Sequence, residues 1–215
     1  MATKLLILGK GDNIITMILD NLYSVNIENT PDIHIYNNLN LPIQNIFEHD
    51  RFNIEVFENV NMDDYYIMAL GVYQPSHKRK IVETLNPDIR KMGNIIHDGL
   101  DISHTSKLGR GLLINSKVSI AAHTTIGDFV SINRHVSIGH HTTISDYCSI
   151  NPGVNIAGNV SIGEGTTIGM GTNILHTVKI GKNSIIGAGS VVTKDIPDNV
   201  VAYGSPCKII REIEG

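Results

Sequence analysis

The sequence predicts a left-handed parallel β-helix preceded by a small α/β domain of Rossmann-like order. The first observation behind this is a register. From Ile96 an aliphatic residue recurs at every sixth position, through Ile102, Leu108 and Ile114 to Val192, seventeen times without a miss. Neither the 3.6 period of a helix nor the alternation of an ordinary strand gives that spacing, whereas a coil with one short strand and one corner per hexad does. The second observation is what flanks the register. Two residues before each aliphatic anchor stand small or branched side chains such as Val118, Thr124, Val130, Val136, Thr142, Cys148 and Val154, fit to line a narrow interior. One residue after it come Gly, Asn, Ala or Ser, as at Gly109, Asn115, Ala121, Gly127 and Gly139, residues expected to suit a corner. Three hexads close one triangular turn, so about five coils stack at roughly 4.8 Å each around a solid aliphatic interior. The third observation is that the first ninety residues break this register and alternate strand and helix.

In chain order, Lys4 to Leu8 reads as a short apolar strand, Gly9-Lys10-Gly11 as a turn, and Asn13 to Leu22 as a helix with Ile14, Ile15, Ile18, Leu19 and Leu22 on one stripe. A second strand, Ile33 to Tyr36, ends at Asn37, and a third, Tyr66 to Leu70, ends at Gly71. Ser76 opens a basic helix, His77 to Leu85. Strand, glycine turn, helix and strand make a parallel α/β unit too short for a full dinucleotide fold. The chain divides into residues 1–88 as this unit, 94–196 as the β-helix, and 197–215 as a tail.

Composition narrows the function. A chain of 215 residues, 41% hydrophobic and 18% charged, buries a real core. Its formal charge of −4 provides no footprint for nucleic acid or an anionic membrane, and its apolar runs fall far short of a bilayer span. The start MATKLLILGKGD lacks the apolar stretch of a signal peptide, because Gly9 and Asp12 interrupt it. Two cysteines, Cys148 and Cys207, make no disulfide framework, and the cytoplasm is the expected compartment.

Three groups of residues are candidates for chemistry. Gly9 and Gly11 either form a packing turn or present backbone amides to a diphosphate, together with Asn37 and Gly71 past neighbouring strand ends, where open parallel sheets bind ligands. The run His77-Lys78-Arg79-Lys80 is either a solvated helix face or a set of phosphate contacts. Finally, His104, His123, His135, His140, His141 and His176 fall outside the inward registers, so the core does not need them. They point to solvent or into a cleft shared with another subunit.

The chain resembles the bacterial hexapeptide-repeat sugar acyltransferases, a family that includes sialic acid O-acetyltransferases and nucleotide-linked 4-aminosugar N-acetyltransferases. The likeness lies in LLILGKGD at 5–12, MALG at 68–71 with the SHKRKIVETL helix, GNIIHDGLDIS at 93–103, VSIGHHTTISDYCSINPGV at 136–154, and VVTKDIPDNVVAYGSPCK at 191–208. It implies that His140 is the catalytic histidine and that the amide of Gly158, eighteen residues on, holds the thioester carbonyl on the next coil. The acids that commonly flank the family's histidine are replaced by Gly139 and His141, and a further family histidine by Ser149. His141, Asp146 or a residue of a neighbouring subunit then has to orient the base. Asn13 stands where a histidine often follows the glycine turn.

The resemblance further implies acetyl-CoA as co-substrate, along Met170, Ala188, Lys194 and the segment 204–208 with Lys208, and a homotrimer with clefts between neighbours. Gly9, Gly11, Asn37, Gly71 and Lys80 are the expected contacts of a nucleotide-linked sugar, with no metal. Direct transfer of acetyl to a 4-amino group is the first expectation and O-acetylation of a sugar hydroxyl the second. A neutral imidazole suits the role of base at cytosolic pH. Two other classes stay open. His135 and His140, five apart, match two ligands of β-helical zinc carbonic anhydrases, with His123 or His141 as a third. A non-catalytic binding scaffold fits the loss of the flanking acids.

Overall fold

A computed structural model describes residues 4–25, 31–37 and 51–213. In the N-terminal domain the strands β1 (Lys4–Leu8), β2 (Asp32–Tyr36), β3 (Ile54–Phe57) and β4 (Ile67–Leu70) form a parallel sheet in the order β3-β2-β1-β4. The helix α1 (Asp12–Ser24) follows β1, and α2 (Pro75–Leu85), with proline in its first turn, follows β4. β1 sits in the middle of the sheet, and Leu6, Ile7 and Leu8 are fully buried, which is why its sequence is an unbroken apolar run. β3 is absent from the sequence reading: Ile-Glu-Val-Phe is an edge strand with partly exposed side chains, and its pattern is correspondingly weak.

The coil is a left-handed parallel β-helix whose two-residue strands run from Ile95–Ile96 to Val191–Val192. It has three faces. The first carries Leu113–Ile114, Ser131–Ile132 and Ser149–Ile150. The second carries Ser119–Ile120, Ser137–Ile138 and Asn155–Ile156. The third carries Thr125–Ile126, Thr143–Ile144 and Ser161–Ile162. Each strand pairs in parallel with the residue eighteen places on, so Ile120, Ile138 and Ile156 stack in one column. The expected inward residues Val130, Thr142, Cys148, Val154 and Val160 are fully buried. The Cys148 thiol donates to Gly163 O at 3.1 Å, and burial pushes its pKa up to about 12, so it fills space. Two strands, Val200–Gly204 and Cys207–Glu212, close the first face as an antiparallel pair beside Ile185–Ile186.

The corners correct one expectation. The small residue after each anchor is needed for close approach to the next coil, not for unusual backbone angles: a Cβ on Gly139 would lie 2.5 Å from the carbonyl carbon of Ala157 and 2.6 Å from the nitrogen of Gly158. The left-handed backbone falls two residues later, at φ of 57–60° for His123, Phe129, His135, His141, Tyr147 and Asn159. Non-glycine residues occupy that region with some strain, and His and Asn tolerate it better than β-branched side chains.

The domain packs on the first face of the coil. Ile95 and Leu113 join the apolar cluster of α1 and the sheet, and Asn21 Nδ2 donates to Ile114 O and Asn115 Oδ1, each at 3.0 Å. Tyr73 Oη donates to Ile150 O at 2.8 Å, and Ser149 Oγ donates to Tyr73 O at 2.6 Å. The basic run of α2 is neither a uniformly solvated face nor an open row of cations. Lys78 is buried, its Nζ donating to Phe129 O at 3.0 Å, Cys148 O at 3.0 Å and Ser149 Oγ at 3.1 Å. Burial pulls this ammonium down to about 7, while its three N–H groups meet three acceptors. Arg79 pairs with Glu164 at 2.8 Å, and His77 and Lys80 stay exposed. Lys78→Met keeps the stem and removes the donors. It is expected to cost about 1–3 kcal/mol through unsatisfied buried acceptors, read as a lower urea midpoint with an unchanged far-ultraviolet spectrum.

Candidate active site

The corner between the second and third faces stacks residues 121–123, 139–141, 157–159 and 175–177. Their backbones are joined by His141 N to Ala122 O at 3.0 Å, Asn159 N to His140 O at 2.8 Å, and Thr177 N to Gly158 O at 3.1 Å. The eighteen-residue repeat therefore places His123, His140, His141 and His176 along a single edge of the prism. The rings of His123 and His141 lie 4.8 Å apart, and those of His140 and His176 lie 6.3 Å apart. His140 and His141 are exposed to the outside of the chain.

His140 lies over Gly158. A Cβ at Gly158 would fall 2.7 Å from both Cε1 and Nε2 of the imidazole, so the glycine is what lets the ring settle against the next coil. The Gly158 N–H, buried under that ring, finds no acceptor among the described residues. A buried amide without a partner is uncommon and marks a place where a ligand oxygen fits. The opposite edge of the imidazole is held by its neighbour: His140 Nδ1 and His141 Nδ1 are 3.0 Å apart. His176 is engaged elsewhere, its Nε2 accepting from Asn159 Nδ2 at 2.9 Å. Gly158→Ala is expected to push the imidazole aside and lower kcat about 10²-fold, the usual consequence of an ångström-scale misplacement. An unchanged melting temperature distinguishes this from unfolding.

Asp146 does not join this site. It lies six residues after His140, on the corner between the third and first faces, and its Oδ1 accepts from Asp128 N at 2.8 Å. His135 also lies on another edge, between the first and second faces, where its N–H meets Ser116 O. The His135 and His140 spacing therefore gathers no ligand set, and among the described residues no three His, Cys, Asp or Glu side chains converge on a metal position. Ser149 faces the N-terminal domain, bonded to Tyr73 and Lys78.

The remaining candidates are spread over the molecule. Met170 and Ala188 lie exposed on the edge between the first and second faces, joined through Gly189 N to Met170 O. Lys194 lies exposed one coil beyond His176, and Lys208 on the closing strand pair. Gly9, Gly11, Asn37 and Gly71 do come together at the C-terminal ends of β1, β2 and β4, but their amides are engaged. Gly9 donates to Tyr36 O, Gly11 to Gly71 O, Asn37 to Phe57 O and Gly71 to Leu8 O. A Cβ on Gly71 would collide with Gly9 O, so these glycines serve close backbone approach. Lys10, in the same turn, is buried there. No helix among the described residues is long and apolar enough to cross a membrane.

The family model described as bacterial transferase hexapeptide (six repeats) matches residues 141–175 and 159–194. A stretch of 24 residues, 11% of this chain and 12% of its counterpart, is 75% identical to galactoside O-acetyltransferase of Escherichia coli. That match spans a small part of the curated relative. Among solved structures, PerB of Caulobacter crescentus, in complex with CoA and GDP-perosamine, is similar with a TM-score of 0.83 at 23% identity, over 98% of this chain and 99% of that one. The acetyltransferase domain of PglB from Neisseria gonorrhoeae, in complex with acetyl coenzyme A, gives 0.82 at 21% identity over 98% and 100%. These likenesses place both domains, and not the coil alone, in a shared fold. The hexad repeat over residues 141–194 thus matches the bacterial transferase hexapeptide model, and the chain as a whole shares the fold of these two structures.

Proposed function

We propose that this protein transfers an acetyl group from acetyl-CoA to the 4-amino group of a nucleotide-linked sugar. The observation that carries the reading is the His140 imidazole lying over the unpartnered Gly158 amide on an outer edge of the coil. Acetyl-CoA supplies a thioester. With Nδ1 engaged by His141, His140 offers Nε2 as the base that takes a proton from the acceptor nitrogen and returns it to the departing thiolate. The Gly158 N–H meets the charge that grows on the carbonyl oxygen, an interaction stronger in the transition state than with bound substrate. Direct transfer needs no acyl-enzyme, and Cys148, sealed in the core, is not placed to form one.

Met170 and Ala188 on one edge and His140 with Lys194 on another serve a single acetyl-CoA where the first edge of one copy faces the second edge of the next. A homotrimer about a threefold axis provides that arrangement. Lys194 and Lys208 then act as point charges for the phosphates of the co-substrate. Since the amides of Gly9, Gly11, Asn37 and Gly71 are engaged, the nucleotide is assigned to the surface at these sheet ends and not to those N–H groups, with Lys80 on the exposed side of α2, and the protein works in the cytoplasm. Support for a nucleotide-linked acceptor comes from the whole-chain likeness, N-terminal domain included, to a structure holding GDP-perosamine.

The test is incubation of acetyl-CoA with UDP-, dTDP- and GDP-linked 4-amino sugars, reading free thiol and product mass. Thiol release matched by one acetyl added to an amino sugar is the expected result. Release with no acceptor of this class overturns the reading, and release with hydroxyl sugars alone replaces the amine by a hydroxyl. Sedimentation showing a 23.5 kDa species alone counts against the trimer.

A further inference from the structure

We propose that His141 is the positioning residue of this reaction: His140 and His141 act as an imidazole pair in which His140 donates its Nδ1 proton to His141 Nδ1. The inference rests on the acetyl-transfer reading above and adds what orients the base. Two imidazole nitrogens 3.0 Å apart hold one proton between them, since two N–H groups repel and two lone pairs make no bond. The direction of that bond decides the chemistry. When His140 donates, its Nε2 carries a lone pair and is a base. When His141 donates, His140 holds its own proton on Nε2 and the base is lost. The first arrangement leaves the lone pair on the edge of the ring that lies over Gly158, next to the unpartnered amide where the acyl oxygen belongs.

The neighbours leave this task to His141. Asp146 is on another corner and committed to Asp128 N. His176 is bound to Asn159, and its ring centre is 6.3 Å from that of His140. His123 packs against His141 at 4.8 Å and supports the second ring. The backbone makes the meeting of adjacent residues workable. His141 takes φ 57°, and this left-handed corner turns its ring edge-on to that of His140, with 86° between the planes. Glycine fills the equivalent corner position at Gly153, Gly165, Gly171 and Gly189. Other corners carry side chains at the same position, as at Phe129, Tyr147 and Asn159, and here the side chain is a neutral acceptor for the Nδ1 proton. It replaces a carboxylate by a ring that fixes the tautomer without adding a negative charge.

Two substitutions separate this role from a structural one. Glycine is the residue the corner backbone prefers, and His141→Gly removes the acceptor; His141→Glu strains the same corner and restores an acceptor. The expected result is that His141→Gly keeps or raises the melting temperature and lowers kcat about 10–100-fold, the usual cost of losing an orienting partner, with KM for both substrates nearly unchanged. His141→Glu recovers most of kcat despite a lower melting temperature. In nitrogen-15 spectra of histidine-labelled protein, the His140 signal reports a protonated Nδ1 in the parent and a mixture of tautomers in His141→Gly. If kcat instead follows melting temperature, with glycine the better variant, or if the His140 tautomer is the same in both proteins, the pairing is wrong. A parent protein that acetylates no acceptor overturns the underlying reading. That result is distinct from a fully active His141→Gly, which overturns the pairing alone.

Discussion

Replacing His140 by alanine is expected to lower kcat by about 10²–10⁴, the range that positioned acid–base catalysis commonly contributes. This corresponds to roughly 3–5 kcal/mol of transition-state stabilisation. KM for acetyl-CoA and for the sugar is expected to change little, because in the proposed mechanism the imidazole acts on a proton that moves in the transition state and adds little to ground-state binding. The fold is expected to survive. His140 is exposed, its side chain lies outside the aliphatic core, and its carbonyl still accepts from Asn159 N at 2.8 Å whatever the side chain. Steady-state kinetics of thiol release, paired with a melting curve, checks both halves. A variant that turns over at the parent rate removes His140 from the mechanism. One that fails through a large rise in KM with kcat intact makes it a binding residue.

The hexad register makes the candidate corner readable because spacing in a β-helix is position in space. Gly158 lies eighteen residues after His140, one full coil, and the structure stacks the two in contact. The same arithmetic excludes Asp146, six residues on and so on the next corner, and His135, which belongs to the preceding one. The chemistry of both suits a site, but the register places them elsewhere. Other features carry no such periodic signal. Lys78 is one cation in a basic run, and its burial depends on acceptors 51 and 70 residues away, at Phe129 and Cys148. β3 is short and on an edge, so tertiary pairing and not apolar pattern defines it. The glycines after the anchors serve contact and not angle, and a sequence shows a small residue without showing which of the two demands it. The bond between His140 and His141 falls in the same class: adjacency is visible in the sequence, but the left-handed turn that joins the rings is not.

The interior of the coil sets the second large effect. Ile138 is 1% exposed and pairs with Ile120 below and Ile156 above, so its side chain has aliphatic neighbours along the stacking axis. Ile138→Asp places a carboxyl in that column with no donor to receive it. Holding the charge there costs several kcal/mol even after relaxation, and taking up a proton instead still leaves a polar group and a void in an apolar column. The expected loss exceeds about 4 kcal/mol, in the range reserved for such defects. Stability in a stacked repeat is carried between nearest neighbours, so the break is expected to uncouple the coils on either side and broaden the unfolding transition. Ile138→Val, which keeps the packing chemistry, is expected to cost about 0.5–1.5 kcal/mol. Thr143→Asp, an exposed position on the following strand, is expected to stay within about 0.5 kcal/mol. Denaturant melts of the three variants test the register directly. If the aspartate at 138 is tolerated as well as the one at 143, the column is not the solid core that the six-residue repeat requires.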